Sequence, residues 1–218
     1  MAERAKARQG RPRSEQSRVA VLRAASALIN EVGLRAMTTD EIAARSGVSK
    51  ATIYKWWPNK YAVAVDAFLS EMATQSSDPD TGSAREDFRR TLRGLIRFYR
   101  SKSGKAYAQL IGEAQFDPQI GSQLRENLIE ARREIMRSIF KRGVERGELR
   151  PDVDPEVAID LIFGPAMYRL VAGQAPLNNA SADAIVDAAM RGLAGWRAAM
   201  PRHGLRARDR SRRPRELR

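Results

Sequence analysis

The apolar positions of this chain recur at helical spacing nearly everywhere. From Ser17 to Val32, the residues Val21, Leu22, Ala25, Leu28, Ile29 and Val32 fall three or four apart and form one helix face. Gly33 follows where a left-handed cap is wanted. Thr38-Thr39-Asp40-Glu41 reads as a capping box. It opens a short second helix, about Thr39 to Ser46, with Ile42 and Ala43 inward. Gly47 supplies a tight turn, and Ser49 caps a third helix, about Lys50 to Trp57, which Pro58-Asn59 ends. A new apolar run follows: Tyr61, Val65, Phe68, Leu69 and Met72.

The stretch from Ser76 to Ser83 is the clearest loop. Beyond it a helix from about Ala84 to Ser101 carries Phe88, Leu92, Leu95, Ile96 and Tyr99. A shorter one holds Tyr107, Leu110 and Ile111. Asp117-Pro118 starts a long helix with Leu124, Leu128, Ile135 and Ile139, broken at Gly147 and by the run from Arg150 to Pro155. Pro155 suits a first helical turn, and this helix runs to about Gly173. The last spans about Ser181 to Met200. Alternating β-branched patterns are scarce, so the fold class is all-α. The pattern divides the chain into a basic disordered arm (1–16), a helix-turn-helix domain (17–62), a larger helical domain (63–200) and a basic disordered tail (201–218).

The charge of +13 changes the picture once it is divided. Residues 1–18 hold six Lys/Arg against two acids, residues 19–60 six against three, and residues 201–218 eight against two. Residues 61–200 balance at nineteen each. Basic charge confined to the first helices and the tails is the footprint of a polyanion binder; two solvated tails without a partner are the alternative. No run approaches the roughly 20 apolar residues of a membrane span, and no signal peptide is visible. With no cysteine and a single histidine, His203 in the tail, thiolate metal sites and His-based catalysis have no residues to use. There is no Gly-rich phosphate loop, and the reading is of a non-enzyme without metal or cofactor.

Two short helices joined by a Gly turn, behind a longer supporting helix, make a helix-turn-helix. At 100° per residue, Ala51, Tyr54 and Lys55 of the third helix share one face, with Lys50 beside Tyr54, while Ile53 and Trp57 point into the core. Small, hydroxyl, aromatic and cationic groups on an outward face suit contacts to base edges and phosphates. Thr38 is both a cap and a candidate phosphate donor. The segment Gly10-Arg11-Pro12-Arg13 reads as an extended arm, in which Arg11 and Arg13 suit a narrow minor groove.

The stretch MTTDEIAARSGVSKATIYKWWPNKYAV resembles the DNA-binding domain of the tetracycline-repressor (TetR) family of bacterial transcription regulators. The likeness covers about Ser17 to Val65. It rests on Thr38, Ile42, Ala43, Gly47, Val48, Ser49, Ala51, Thr52, Ile53, Tyr54 and Lys60. Trp57 stands where Phe is usual, and Trp56 where His or Tyr is usual. The resemblance implies an all-α homodimer of about nine helices in the bacterial cytoplasm. It implies that Lys50, Ala51, Thr52, Tyr54, Lys55 and Trp56 face the major groove, that Thr39 and Lys60 hold phosphates, and that the double-stranded operator is a near-palindrome.

It further implies that the neutral domain dimerises and binds a small effector. Phe88, Leu92, Tyr99, Tyr107, Phe116, Phe163, Met167 and Tyr168 are the candidate pocket residues; plain core is the alternative. Few charges lie on these faces, so the expected effector is apolar or aromatic. The last two helices would form an intermolecular four-helix bundle, with Leu161, Ile162, Ile185, Ala189, Leu193 and Trp196 at the interface. Ligand binding would then shift the helix ending near Phe68 to Met72 and release a repressor from its operator. The rival reading is non-specific DNA packaging, for which a neutral, apolar-rich body has no use.

Overall fold

Each helix begins and ends where the local chemistry dictates. In the computed structural model, which describes residues 10–75 and 78–193, the chain forms α1 (Gly10–Glu31), α2 (Thr39–Ser46), α3 (Lys50–Trp56) and α4 (Lys60–Gln75). These are followed by α5 (Ala84–Tyr99), α6 (Lys102–Glu113), α7 (Pro118–Gln123), a π-helical turn (Leu124–Ile129) and α8 (Glu130–Glu145). The chain continues with α9 (Pro155–Ala172) and α10 (Asn179–Leu193). α7, the π turn and α8 run on as one rod, giving nine helical rods and no strand among the described residues.

The N-terminal unit packs α1 against α2 and α4. Its core comprises Val21, Ala25, Leu28, Leu34, Met37, Ile42, Ile53 and Trp57, all buried. α1 starts at Gly10, seven residues before the periodicity suggested. Pro12 falls in its first turn, where a missing N–H removes no helical bond. The stretch read as an extended arm at Arg11 and Arg13 is therefore helical backbone.

The larger unit surrounds α5 with α4, α6, α8, α9 and α10. Phe68, Phe98, Tyr99 and Tyr107 meet at ring-centroid distances of 5.9–6.1 Å. This aromatic cluster joins α4 to α5 and α6. Arginines of α5 bind the outer helix α10: Arg85 and Arg89 each reach Asp187 at 2.8 Å, and Arg93 reaches Asp183 at 2.6 Å. On the opposite side Arg133 and Arg137 of α8 hold Glu156 of α9. The loop before α5 is held by Asp87, which is fully buried and accepts from Thr81 Oγ1 at 2.7 Å and Thr81 N at 2.9 Å. No helix among the described residues is long and apolar enough to cross a membrane.

Candidate nucleic-acid interface and effector cavity

The turn between α2 and α3 is built by caps. Thr38 Oγ1 accepts from Glu41 N at 3.2 Å, and Glu41 Oε2 accepts from Thr38 N at 2.9 Å, closing the capping box. Gly47 ends α2 at φ 68°, a left-handed conformation that glycine enters without a Cβ clash. Ser49 Oγ then accepts from Thr52 N at 3.2 Å and starts α3. Ile53 and Trp57 are buried, and this fixes the rotation of α3 about its axis. Lys50, Ala51, Tyr54 and Lys55 consequently face outward, Tyr54 with 52% of its surface exposed.

Other members of the expected set are partly engaged within the protein. Thr52 and Trp56 are half-buried: the Thr52 hydroxyl lies 2.9 Å from Ser49 Oγ, and Trp56 meets Trp57 edge-on at 5.5 Å. Lys50 pairs with Asp40 of α2 at 2.6 Å, and that contact raises its pKa. Thr39 is half-buried at the start of α2, and Thr38 is exposed. Lys60 donates to the carbonyls of Arg35 at 2.7 Å and Met37 at 3.0 Å. Burial lowers its pKa, and its ammonium clamps the α1–α2 loop.

A further network, absent from the sequence reading, sets α1, α3 and α4 relative to one another. Trp57 Nε1 donates to Asp66 Oδ2 at 2.9 Å, and Arg18 reaches the same oxygen at 3.2 Å. Arg45 forks onto both carboxylate oxygens of Glu31 at 2.7 Å, fastening α2 to α1. Two contacts reach out to the larger unit. Arg35 Nε donates to Glu113 at the end of α6 at 2.9 Å, and Lys102 Nζ donates to the Asn30 carbonyl at 3.2 Å.

A cavity of about 240 Å³ lies between α4, α5, α6, the π turn, α8 and α9. Of the expected pocket residues it is lined by Tyr99, Tyr107, Phe163 and Met167. Phe88 and Leu92 are instead fully buried in the core behind it, with Phe88 edge-on to Phe163 at 6.3 Å. Phe116 and Tyr168 point away from it and are 90% and 63% exposed, because both sit on the outer side of their turns. The sequence reading missed Met72, Leu95, Leu128, Ile129, Arg132, Met136 and Ile159.

Arg132 is one of three charged residues of the lining, with Arg133 and Asp160, where few charges were expected. It is 7% exposed, and desolvation lowers its pKa, partly offset by the neighbouring Tyr99 and Tyr107. Burial pushes Tyr107 up to about 12 and Tyr99 well above its ordinary value, so both phenols are protonated near neutrality. Arg132 stands four residues after Leu128 and four before Met136, both buried. That spacing was the available signal. The π turn has no comparable signature, yet its extra residue per turn rotates everything after it relative to α7.

The outer surface of α9 is apolar. Val157, Leu161, Tyr168 and Val171 are 52–63% exposed, and they recur every three or four residues with Gly164 between them. α10 adds the exposed small residues Ala180, Ala184, Ala188 and Gly192. Of the expected interface residues, Leu161 lies on this surface and Ala189 is half-buried. Ile162, Ile185 and Leu193 are buried within the subunit's own core, one helical step away from it. Trp196 lies outside the described residues.

Comparison with known proteins agrees with this arrangement. Residues 21–67 match the family of bacterial regulatory proteins of the tetR type, and residues 78–189 match the tetracyclin repressor-like C-terminal domain. The HTH-type transcriptional regulator YdeS of Bacillus subtilis is 40% identical over 186 residues, covering 85% of this chain and 94% of its own. The regulator Rv1556 of Mycobacterium tuberculosis is 27% identical over 160 residues, covering 73% and 79%. The crystal structure of the TetR family regulator SCO0332 superposes with a TM-score of 0.75 at 33% identity, covering 82% of this chain and 98% of that one. A capped helix-turn-helix, a nine-rod helical body and matches along both parts together place this chain in the TetR family of transcriptional regulators.

Proposed function

We propose that this chain is a dimeric repressor that reads a near-palindromic operator and is released from it by a small molecule bound in the cavity. The observation that carries the DNA reading is the orientation of α3. Burial of Ile53 and Trp57 leaves Lys50, Ala51, Tyr54 and Lys55 as its outward face. In the major groove, Ala51 permits close approach, Tyr54 and Lys55 offer a hydroxyl and a cation, and Lys50 exchanges Asp40 for phosphate or a base edge. Thr38, Thr39, Thr52, Trp56 and the remaining donor capacity of Lys60 supply the flanking phosphate contacts. Arg11 and Arg13, in the first turn of α1, are assigned to the phosphate backbone beside the groove. In this reading residues 17–62, with α1 extended back to residue 10, form the reading head, and residues 63–200 form the regulatory body.

The apolar surface of α9 with the small residues of α10 supports a symmetric four-helix contact between two subunits. Val157, Leu161, Tyr168 and Val171 are its main contributors. Coupling follows from shared elements. Met72 of α4 lines the cavity, while Lys60 at the other end of α4 clamps the α1–α2 loop, and Glu113 of α6 holds Arg35 of that loop. A ligand that binds one arrangement of α4 and α6 more tightly shifts the separation of the two reading heads.

Selection of bound duplexes from a random pool at physiological salt, followed by sequencing, tests the proposal. The expected result is one enriched near-palindrome whose affinity falls steeply with added salt. In the Lys50→Ala variant the log–log salt slope should decrease by about 1. Uniform recovery without a motif would replace this reading with non-specific binding.

A further inference from the structure

Lys50 does not stand alone on the outward face of α3. Its ammonium lies 2.6 Å from a carboxylate oxygen of Asp40, in the first turn of α2. The neighbouring acid, Glu41, is used within the protein, where it closes the capping box with Thr38. Asp40 instead reaches across the turn. The pair stays open to solvent, with 72% of the Asp40 side chain and 53% of the Lys50 side chain exposed. A helix dipole favours an acid in the first turn, but that benefit needs no cation on the next helix. An exposed ion pair also adds little to stability. Neither effect accounts for an anion carried beside the groove-facing residues of α3.

Two kinds of partner on DNA are open to Lys50. A phosphate would bring a second negative charge beside Asp40, and the two anions repel. A base edge brings no net charge. In the major groove a guanine offers the ammonium its N7 and O6 acceptors, and the paired cytosine offers a carboxylate its N4 amino donor. O6 and N4 are joined by a base-pair hydrogen bond about 2.9 Å long. The 2.6 Å between Lys50 Nζ and Asp40 Oδ1 is close to that spacing. The exchange of Asp40 for a base edge is then partial. The ammonium has three donors; one stays with Asp40 while two turn to guanine. An A·T pair fits less well. Its adenine N6 serves the carboxylate, but thymine gives the ammonium O4 alone, flanked by the apolar C5 methyl.

We propose that Asp40 and Lys50 act as one reading unit for a G·C pair in each half-site of the operator, Lys50 donating to guanine O6 and N7 and Asp40 accepting from cytosine N4. This rests on the reading of α3 as the groove-facing helix, and it adds Asp40 of α2 as a residue that sets specificity.

The test repeats the duplex selection with the full-length protein and with its Asp40→Ala, Lys50→Ala and doubly substituted variants. Both side chains are exposed, so neither change disturbs the core, and a thermal melt checks that each variant folds. Affinities are then measured for the selected duplex and for duplexes carrying each other base pair at one position, changed in both half-sites. The native protein should require G·C at one position of each half-site and lose about tenfold or more in affinity on its replacement. Asp40→Ala and Lys50→Ala should each abolish most of the preference at that position and leave the other positions as they were. The double variant should lose no more of it than the larger single loss, because the two side chains act together. If Asp40 only modulates charge, Asp40→Ala strengthens binding to every duplex alike and leaves each base preference in place, which overturns the proposal. So does a motif in which the position sensitive to both variants is A·T, or one in which no position is sensitive to both. These outcomes leave the sequence-specific regulator standing. Recovery of no motif by the native protein would instead remove that reading, and this one with it.

Discussion

Trp57 shows how one side chain serves both packing and polarity. Its ring is 4% exposed at the end of α3, and its indole N–H reaches Asp66, which Arg18 also holds. The family resemblance has Phe as the usual residue at this position. Trp57→Phe should fold but lose the hydrogen bond and part of the packing, a cost of about 1–3 kcal/mol. A urea unfolding midpoint measures it; an unchanged midpoint would mean that Asp66 and Arg18 fix the helices without the indole. The sequence alone showed that Trp57 is buried, because Ile53 and Trp57 are four apart on an otherwise polar helix. It could not show the Asp66 contact, which spans nine residues and depends on how the chain turns between α3 and α4. Lys60 likewise makes contacts that its place in the sequence does not show. Its position at a helix start suggests phosphate, while its fold places two backbone carbonyls within reach of its ammonium. Arg132 is the opposite case, since its four-residue spacing from Leu128 and Met136 was on the page and its charge disguised it.

At the level of elements, the helices with strong local punctuation were legible to within a residue. Thr38, Gly47 and Ser49 delimit α2 and α3 by hydrogen bonds made within a few residues. The start of α1 and the π turn were not legible, because no change of apolar periodicity marks either. Close approach is also silent in sequence. A Cβ on Gly104, in the first turns of α6, would lie 2.3 Å from the Phe98 carbonyl oxygen and 2.5 Å from that of Tyr99. Backbone at the end of α5 cannot yield as a side chain does, so Gly104→Ala should lower stability by about 1–3 kcal/mol or more, read by thermal or urea unfolding. The charged straps between helices carry a pH signature. Hydrogen bonds from Arg85 and Arg137 lower the pKa of Asp187 and Glu156 below their ordinary 3.8 and 4.5. In the unfolded chain these groups take up protons first as pH falls. Their stabilisation is therefore complete above about pH 4.5 and is lost as pH drops through the lowered folded-state values. The melting temperature should fall over that acid range, and Asp187→Asn should flatten part of the fall. The pairs are exposed to water, so each contributes modestly.

At the scale of the whole molecule, what sequence cannot supply is which of two apolar faces of a helix looks inward. α9 is apolar nearly all round, and its periodicity alone does not separate Ile162 from Leu161. The packing of α5, α8 and α10 separates them: Ile162 is fully buried, while Leu161 remains 53% exposed. An outward row of Val157, Leu161, Tyr168 and Val171 is larger than the isolated apolar residues a monomer ordinarily shows, and α10 continues it with small residues that let a second copy approach. Leu161→Arg tests its role with little risk to the fold, because the side chain leaves the subunit core untouched. At micromolar concentration, light scattering should report twice the chain mass for the native protein and a single chain mass for the variant. Its thermal unfolding and helical content should show a folded subunit. Operator affinity should fall sharply, since two half-sites are then engaged by independent subunits without the gain in effective concentration that a dimer provides. A variant that remains dimeric and binds the operator undiminished would move the subunit contact off this face of α9. Charge alone does not mimic the expected loss, because an added arginine on a basic chain strengthens attraction to DNA.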